Sequence, residues 1–417
     1  METIVIVASC ESYRTGDFVA AARAQRLRVV VATDADSPFA NRADSTIEID
    51  LDNPAEGAAR IAAEAPSAAA VVAVDDQGVR VAAAASALLG LATNPSSAVD
   101  ATRDKLSMRR LLEAGGVSQP AFREVGTDRL AHSAAEIGFP VVVKPTSLAA
   151  SRGVIRVDGA EAAPLIEARI RDILEDAGLI RSASLIVEQY IAGHEMVVEG
   201  IMVDGDLEVL ALIDKPVPLV GPFFEETMFV SPSRQAPAVQ DRVIATVRTA
   251  IDAIGLVTGP VHAEVRVDAD GSVYIIEIAA RSIGGLCGRS LTFGLLAEPL
   301  ESVVIRSAVG RSSRMEKQSK PATGVLMLPI PAAGTLTGID GIEGASGIEG
   351  IDEIEITVPF GKTVAPLPEG DRYLGFVFAS GIDADAVESA LKAAAAAIDP
   401  TIDGEYVTSD GQFDAAG

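Results

Sequence analysis

Five consecutive apolar residues, Ile4-Val5-Ile6-Val7-Ala8, open the patterned part of the chain. A run with no polar alternation belongs in a strand covered on both faces, the situation of a parallel sheet. Short β-branched runs recur at 28–32, 47–49 and 70–74, separated by Ala-rich helical segments at 16–26, 55–64 and 79–89. This alternation predicts a doubly wound α/β domain over residues 1–93. Ala8-Ser9-Cys10-Glu11-Ser12 stands where a G-x-G-x-x-G would follow the first strand, so a dinucleotide fingerprint is absent and a purely structural module is favoured.

Asn94-Pro95 breaks that pattern, and a helix is expected over 100–114, ended by Gly115-Gly116. Strand-like runs follow at 140–145, 153–157 and 184–190, with a helix at 160–175 between them. Residues 197–212 read as two strands turning at Asp204-Gly205, and 223–237 as a Pro- and Ser-punctuated loop long enough to carry function. A helix over 240–254 leads to a second hairpin, 261–267 with 273–278, and helical segments to 309. Polar residues 313–322 predict a linker into a C-terminal α+β domain with strands near 323–328, 351–358 and 373–380 and a helix over 385–398. The Gly-Ile-Asp-Gly and Gly-Ile-Glu-Gly pieces of 338–350 read as a turn-rich connection, and 408–417 as a frayed end.

Net charge excludes some functions. Thirty-four basic against 59 acidic residues leave −25, which repels phosphate backbones, and aromatics at 4% with no Trp supply no base-stacking platform. Cys10 and Cys287 are too few for a disulfide framework or a Cys-based zinc site. The first ten residues lack a basic n-region and no apolar stretch is long enough to span a bilayer, so neither a signal peptide nor a membrane segment is expected; the expected location is cytoplasmic.

The second hairpin carries the sharpest chemical signal. With Asp270-Gly271 as a two-residue type I′ turn, Ala269 pairs with Ser272, and stepping outward sets Glu264 opposite Glu277. Opposed side chains on one face lie about 5 Å apart at Cβ, so two such carboxylates repel unless a proton or cation separates them. Oxygen-only ligands at that reach suit Mg²⁺; a solvated polar face is the alternative. The apolar residues flanking Glu277 favour an interior strand. Lys144 ends an apolar strand at Pro145, a costly place for a cation unless an anion neutralises it. Ser151-Arg152-Gly153-Val154 lies in a small-residue loop suited to covering phosphates.

In order, Arg103-Asp104-Lys105, Val143-Lys144-Pro145, Ser151-Arg152-Gly153-Val154, Val187-Glu188-Gln189-Tyr190-Ile191 with Glu195, His262-Ala263-Glu264 and Ile276-Glu277-Ile278-Ala279-Ala280-Arg281 resemble the motifs of the ATP-grasp superfamily. The likeness runs over residues 91–309 and implies an ATP-grasp domain at 94–312, with a lid at 121–190, followed by the C-terminal domain at 313–417. By that resemblance Lys105, Lys144, Ser151 and Gly153 meet ATP phosphates. Glu188 and the backbone of Gln189 and Ile191 hold adenine, Tyr190 is a further ATP-binding residue, Glu195 holds ribose, and Glu264 and Glu277 hold Mg²⁺, with Mn²⁺ as a substitute. Arg281, Lys144 and Arg152 are the implied catalytic cations, and His262, Gly284, Gly285 and Glu225 line the implied substrate pocket. Glu277-x-Ala279-Ala280-Arg281 before a glycine turn looks like the bacilysin-type L-amino acid ligases. Ala279 departs from the Asn many members carry there, and Ala149-Ala150 replaces frequent glycines.

The implied activity is an ATP-dependent carboxylate–amine ligase working through an acyl phosphate, with amino acids as the carboxylate and amine and a dipeptide as product. Homodimers are common in such a family. The alternatives are a ligase or carboxylase acting on another carboxylate, and a nucleotide-binding protein without catalysis.

Overall fold

The computed structural model describes residues 1–38, 42–125, 130–294, 296–311 and 322–406. The expected linker at 313–322 lies outside these apart from its last residue, and the expected frayed end lies wholly outside them. Four sheets are present among the described residues. Strands Ser45–Glu48, Arg28–Thr33, Thr3–Val7 and Ala68–Ala73 lie side by side in that order, all parallel. The apolar run at the start therefore sits in the middle of the sheet, fully buried as its composition demands. Chain order reverses between Thr3–Val7 and Ala68–Ala73, and the loops leaving those two strands carry Arg14, Asp75 and Asp76 toward the rest of the molecule.

A second sheet has four antiparallel strands, ordered Phe122–Val125, Leu185–Gln189, Val141–Pro145, Ile155–Val157, with helix Ala163–Asp176 packed on it. An eight-stranded sheet forms the body. It runs Val273–Ala279, Gly259–Val267, His194–Val203, Asp206–Lys215, Met228–Ser231, Ala322–Leu328, Gly375–Gly381, Ile351–Ile356. Hydrogen bonding thus continues across residue 313, because Met228–Ser231 pairs with Ala322–Leu328. One apolar core joins Ile4 and Ile6 of the first sheet to Val197, Phe229, Phe376 and Phe378 of the large one.

Several local expectations change. The loop expected at 223–237 contains the strand Met228–Ser231, half of which is an apolar Phe-Val pair. The helix expected at 100–114 is two helices, Ser96–Ala101 and Lys105–Ala114, because the Asp104 side chain accepts a bond from Ser107 N–H and caps a new start. Residues 338–350 are not all turn: they close the strand Gly334–Asp340 and form the short helix Ile342–Ser346. No helix of the described residues is long and apolar enough to cross a membrane.

Candidate active site

Glu264 and Glu277 are directly opposed across the antiparallel pair Gly259–Val267 and Val273–Ala279. The route to that pairing differs from the one the turn suggested. Val267 pairs with Val273, and Asp268 N–H donates to Ser272 O, so the connection is one residue out of step with a two-residue turn. Continued regularly, it would set Ile276 opposite Glu264 and send Glu277 to the other face. A β-bulge intervenes: Val265 pairs with Ile275, Glu264 with Glu277, and Ile276 is the extra residue. Both carboxylates then face one cleft, shared with Lys105, Lys144 and Arg281.

Lys105 and Lys144 are both buried at this cleft. Lys105 Nζ donates to Leu148 O at 2.7 Å and lies 3.5 Å from Glu277 Oε1. Lys144 Nζ lies 2.8 Å from Glu188 Oε2, and Arg109 Nε donates to Glu188 Oε1 at 2.7 Å. Burial alone would disfavour the Glu188 carboxylate; the two cations outweigh it and bring its pKa down to about 2. Glu188 is thus spent on cations, and Gln189 N–H on Ala121 O. All four expected adenine residues, Glu188, Gln189, Tyr190 and Ile191, line the cleft, with the Arg156 guanidinium 4.4 Å over the Tyr190 ring. Gly193, at φ +134, lets this segment pass the hairpin: a Cβ there would sit 2.1 Å from Val267 O.

Glu195 is held at 2.6 Å by Lys215 Nζ and at 2.7 Å by Arg266 Nε. Lys215 also bonds Glu226 and lies 3.4 Å from Glu264. Burial works against its charge, but Glu195, Glu226 and Glu264 together keep its pKa well above the ordinary value. Burial raises Glu226 to about 7 despite this lysine. Sequence reasoning missed Lys215, although its strand ends in the same Lys-Pro pair as that of Lys144.

His262 shares the face with Glu264, at 3.3 Å from its Oε1, while its Nδ1 lies 3.0 Å from Glu199 Oε2. Burial opposes the imidazolium, yet bonds to both carboxylates raise its pKa to about 9. With both ring nitrogens engaged by carboxylates, the charged ring braces Glu264. Glu199, wholly buried, also accepts from Ile283 N–H at 2.9 Å, tying this chain to the glycine turn at Gly284 and Gly285.

Arg281 Nε donates to Asp76 Oδ2 at 2.7 Å, and Arg103 lies 3.2 Å from the same carboxylate. Burial opposes the Asp76 charge, but Arg281 and Arg103 hold its pKa below the usual range. Arg14 reaches Ser282 Oγ at 2.8 Å. The N-terminal domain, read as purely structural, therefore lends Arg14, Asp75 and Asp76 to the cleft. Its missing glycine loop concerned dinucleotides only. Cys287 lines the cleft as a buried thiol whose pKa burial pushes up, which disfavours the thiolate.

The loop over the cleft is less simply arranged than expected. Ala150 and Ser151 adopt left-handed φ values of 54° and 55°, a conformation glycine would take more easily, and both line the cleft. Arg152 does not: its Nε donates to Glu369 O, and Gly153 N–H to Pro368 O, both in the C-terminal region. Glu226 lines the cleft rather than its neighbour Glu225, whose pKa burial raises to about 7.

The donor set fits a hard divalent cation. Glu277 faces Glu264 with oxygen donors, while carboxylate oxygens of Glu195, Glu226 and Glu264 lie within 4.8 Å of one another around the Lys215 ammonium.

A model of the ATP-grasp domain matches residues 137–290, and one of L-amino acid ligase C-terminal domain 2 matches 326–403. The chain belongs to the ATP-grasp superfamily. Over 213 residues it is 29% identical to the alanine–anticapsin ligase of Bacillus subtilis (strain 168), covering 47% of this chain and 44% of that protein. The chain thus spans less than half the length of that relative. The fold matches a crystal structure of L-amino acid ligase from Bacillus licheniformis at TM-score 0.79 and 22% identity, over 95% of this chain and 98% of the other. It also matches carboxyaminoimidazole ribonucleotide synthase from Aspergillus clavatus complexed with ATP, at TM-score 0.74 and 17% identity over 94% and 97%.

Proposed function

We infer that this chain is an ATP- and Mg²⁺-dependent ligase that joins the carboxylate of one amino acid to the amine of another, giving a dipeptide. One observation carries the reading: Glu264 and Glu277 are opposed in a cleft that also holds Lys105, Lys144 and Arg281. The C-terminal family match and the alanine–anticapsin ligase likeness support amino acids as substrates.

A carboxylate is a poor electrophile because oxide would have to leave. Its oxygen attacks the γ-phosphorus of ATP, the bond to the bridging oxygen breaks, and ADP departs, leaving an acyl phosphate. The amine nitrogen then attacks the acyl carbon; the carbon–oxygen bond to phosphate breaks, phosphate leaves and the nitrogen loses a proton. Glu264 and Glu277 would hold the metal, which would supply charge neutralisation at the phosphates. Lys105 and Lys144 hold phosphate oxygens, and Tyr190 and Ile191 bound the adenine end. Arg281, braced by Asp76, meets the substrate carboxylate and then the acyl phosphate. His262 and Glu199 keep Glu264 ionised and aimed. The loop around Ala150 and Ser151 excludes water, which would hydrolyse the acyl phosphate.

Incubation with ATP, Mg²⁺ and pooled amino acids tests this. Phosphate release that requires two amino acids, with a dipeptide in the mass spectrum, is the expected outcome. Release driven instead by a carboxylate that is not an amino acid, or none despite ATP binding, contradicts it.

A further inference from the structure

Arg109 is wholly buried on the helix Lys105–Ala114, one turn beyond Lys105, and its guanidinium faces three acceptors. Nε donates to Glu188 Oε1 at 2.7 Å, Nη1 to Ile275 O at 3.2 Å and Nη2 to Ile276 O at 2.7 Å. The last two belong to consecutive residues of Val273–Ala279, the edge strand of the large sheet. In a regular strand, successive carbonyls point to opposite sides, and one planar fork cannot reach both. They converge here because Ile276 is the extra residue of the bulge. That bulge alone separates the observed pairing of Glu264 with Glu277 from a slipped pairing that turns Glu277 away.

We propose that Arg109 is a positioning residue: its fork holds the bulge at Ile276 and thereby keeps Glu277 on the metal-binding face. Neutralising Glu188 does not account for the whole arrangement, because Lys144 already contacts that carboxylate and two of the three arginine bonds go to carbonyls. Lysine in this place keeps a charge near Glu188 but cannot span two carbonyls and a carboxylate in one plane. The proposal rests on the reading of Glu264 and Glu277 as metal ligands.

The test is Mn²⁺ binding by the full chain, followed by electron paramagnetic resonance with a non-hydrolysable ATP analogue present, and analogue binding in EDTA as the control. Arg109→Lys weakens Mn²⁺ binding by roughly 10- to 100-fold while analogue affinity in EDTA stays within about threefold, the size expected when a ligand's support is removed. Glu277→Gln weakens Mn²⁺ comparably or more, and the double variant loses no more than Glu277→Gln alone, because both act through one carboxylate. Deleting Ile276 removes the extra residue and leaves a regular ladder that still pairs Glu264 with Glu277. That deletion therefore keeps Mn²⁺ affinity in the wild-type background and restores it to Arg109→Lys, which a general packing role for Arg109 does not predict. Loss of Mn²⁺ on deletion in the wild-type background overturns the proposal even if Arg109→Lys fails to fold. Normal Mn²⁺ binding by Arg109→Lys, with Glu277→Gln defective, overturns the role of Arg109 only. Normal binding by Glu277→Gln overturns the metal-site reading and this proposal together.

Discussion

Replacing Glu188 by Gln tests whether the cations at the nucleotide cleft are held by charge or merely by shape. The side chain is 2% exposed and accepts from Arg109 at 2.7 Å and Lys144 at 2.8 Å. Glutamine fits the space but leaves two buried cations without their anion. The displacement of the Glu188 pKa from 4.5 to about 2 corresponds to about 3 kcal/mol of stabilisation. Breaking a buried pair by removing one partner costs a similar ~3–5 kcal/mol. The sign follows from the direction of the shift. A carboxylate whose folded pKa is depressed contributes fully above its unfolded value and loses that contribution as pH falls toward the folded one. Urea unfolding of wild type and Glu188→Gln should therefore differ by about 3 kcal/mol at neutral pH. The gap should close between about pH 4.5 and pH 2. A difference below about 1 kcal/mol at neutral pH, or one that persists unchanged into acid, refutes the charge argument.

Lys215→Met leaves Glu195, Glu226 and Glu264 crowded without their shared cation. Calorimetry should show a loss of about 3–5 kcal/mol. Asp76→Asn frees Arg281 and Arg103. Steady-state assays of ADP release should show the KM for the carboxylate substrate rising roughly tenfold, with the KM for ATP little changed.

The parallel N-terminal sheet was legible from one fully apolar run, because burial on both faces leaves a compositional trace. The carboxylate pair was legible too, by a partly faulty route. The turn is out of step by one residue and the bulge at Ile276 restores the pairing, and neither leaves a mark in the local pattern. The bulge is held by Arg109, far away in sequence on the helix Lys105–Ala114. Asp76 and Arg14 escaped for the same reason: they meet Arg281 and Ser282 only through the packing of the first sheet against the large one. Lys215 could have been found, since its Lys-Pro ending repeats that of Lys144. The continuity of the eight-stranded sheet beyond residue 313 depends on Met228–Ser231, four residues whose pairing with Ala322–Leu328 no local periodicity announces.

A crystal of the full chain with Mn²⁺ and a non-hydrolysable ATP analogue would locate the metal by anomalous scattering. The account predicts a peak about 2.0–2.3 Å from an oxygen of both Glu264 and Glu277, bridged to the nucleotide's phosphates. A peak held by Glu195 and Glu226 without Glu277, or phosphates bound away from both carboxylates, would contradict it.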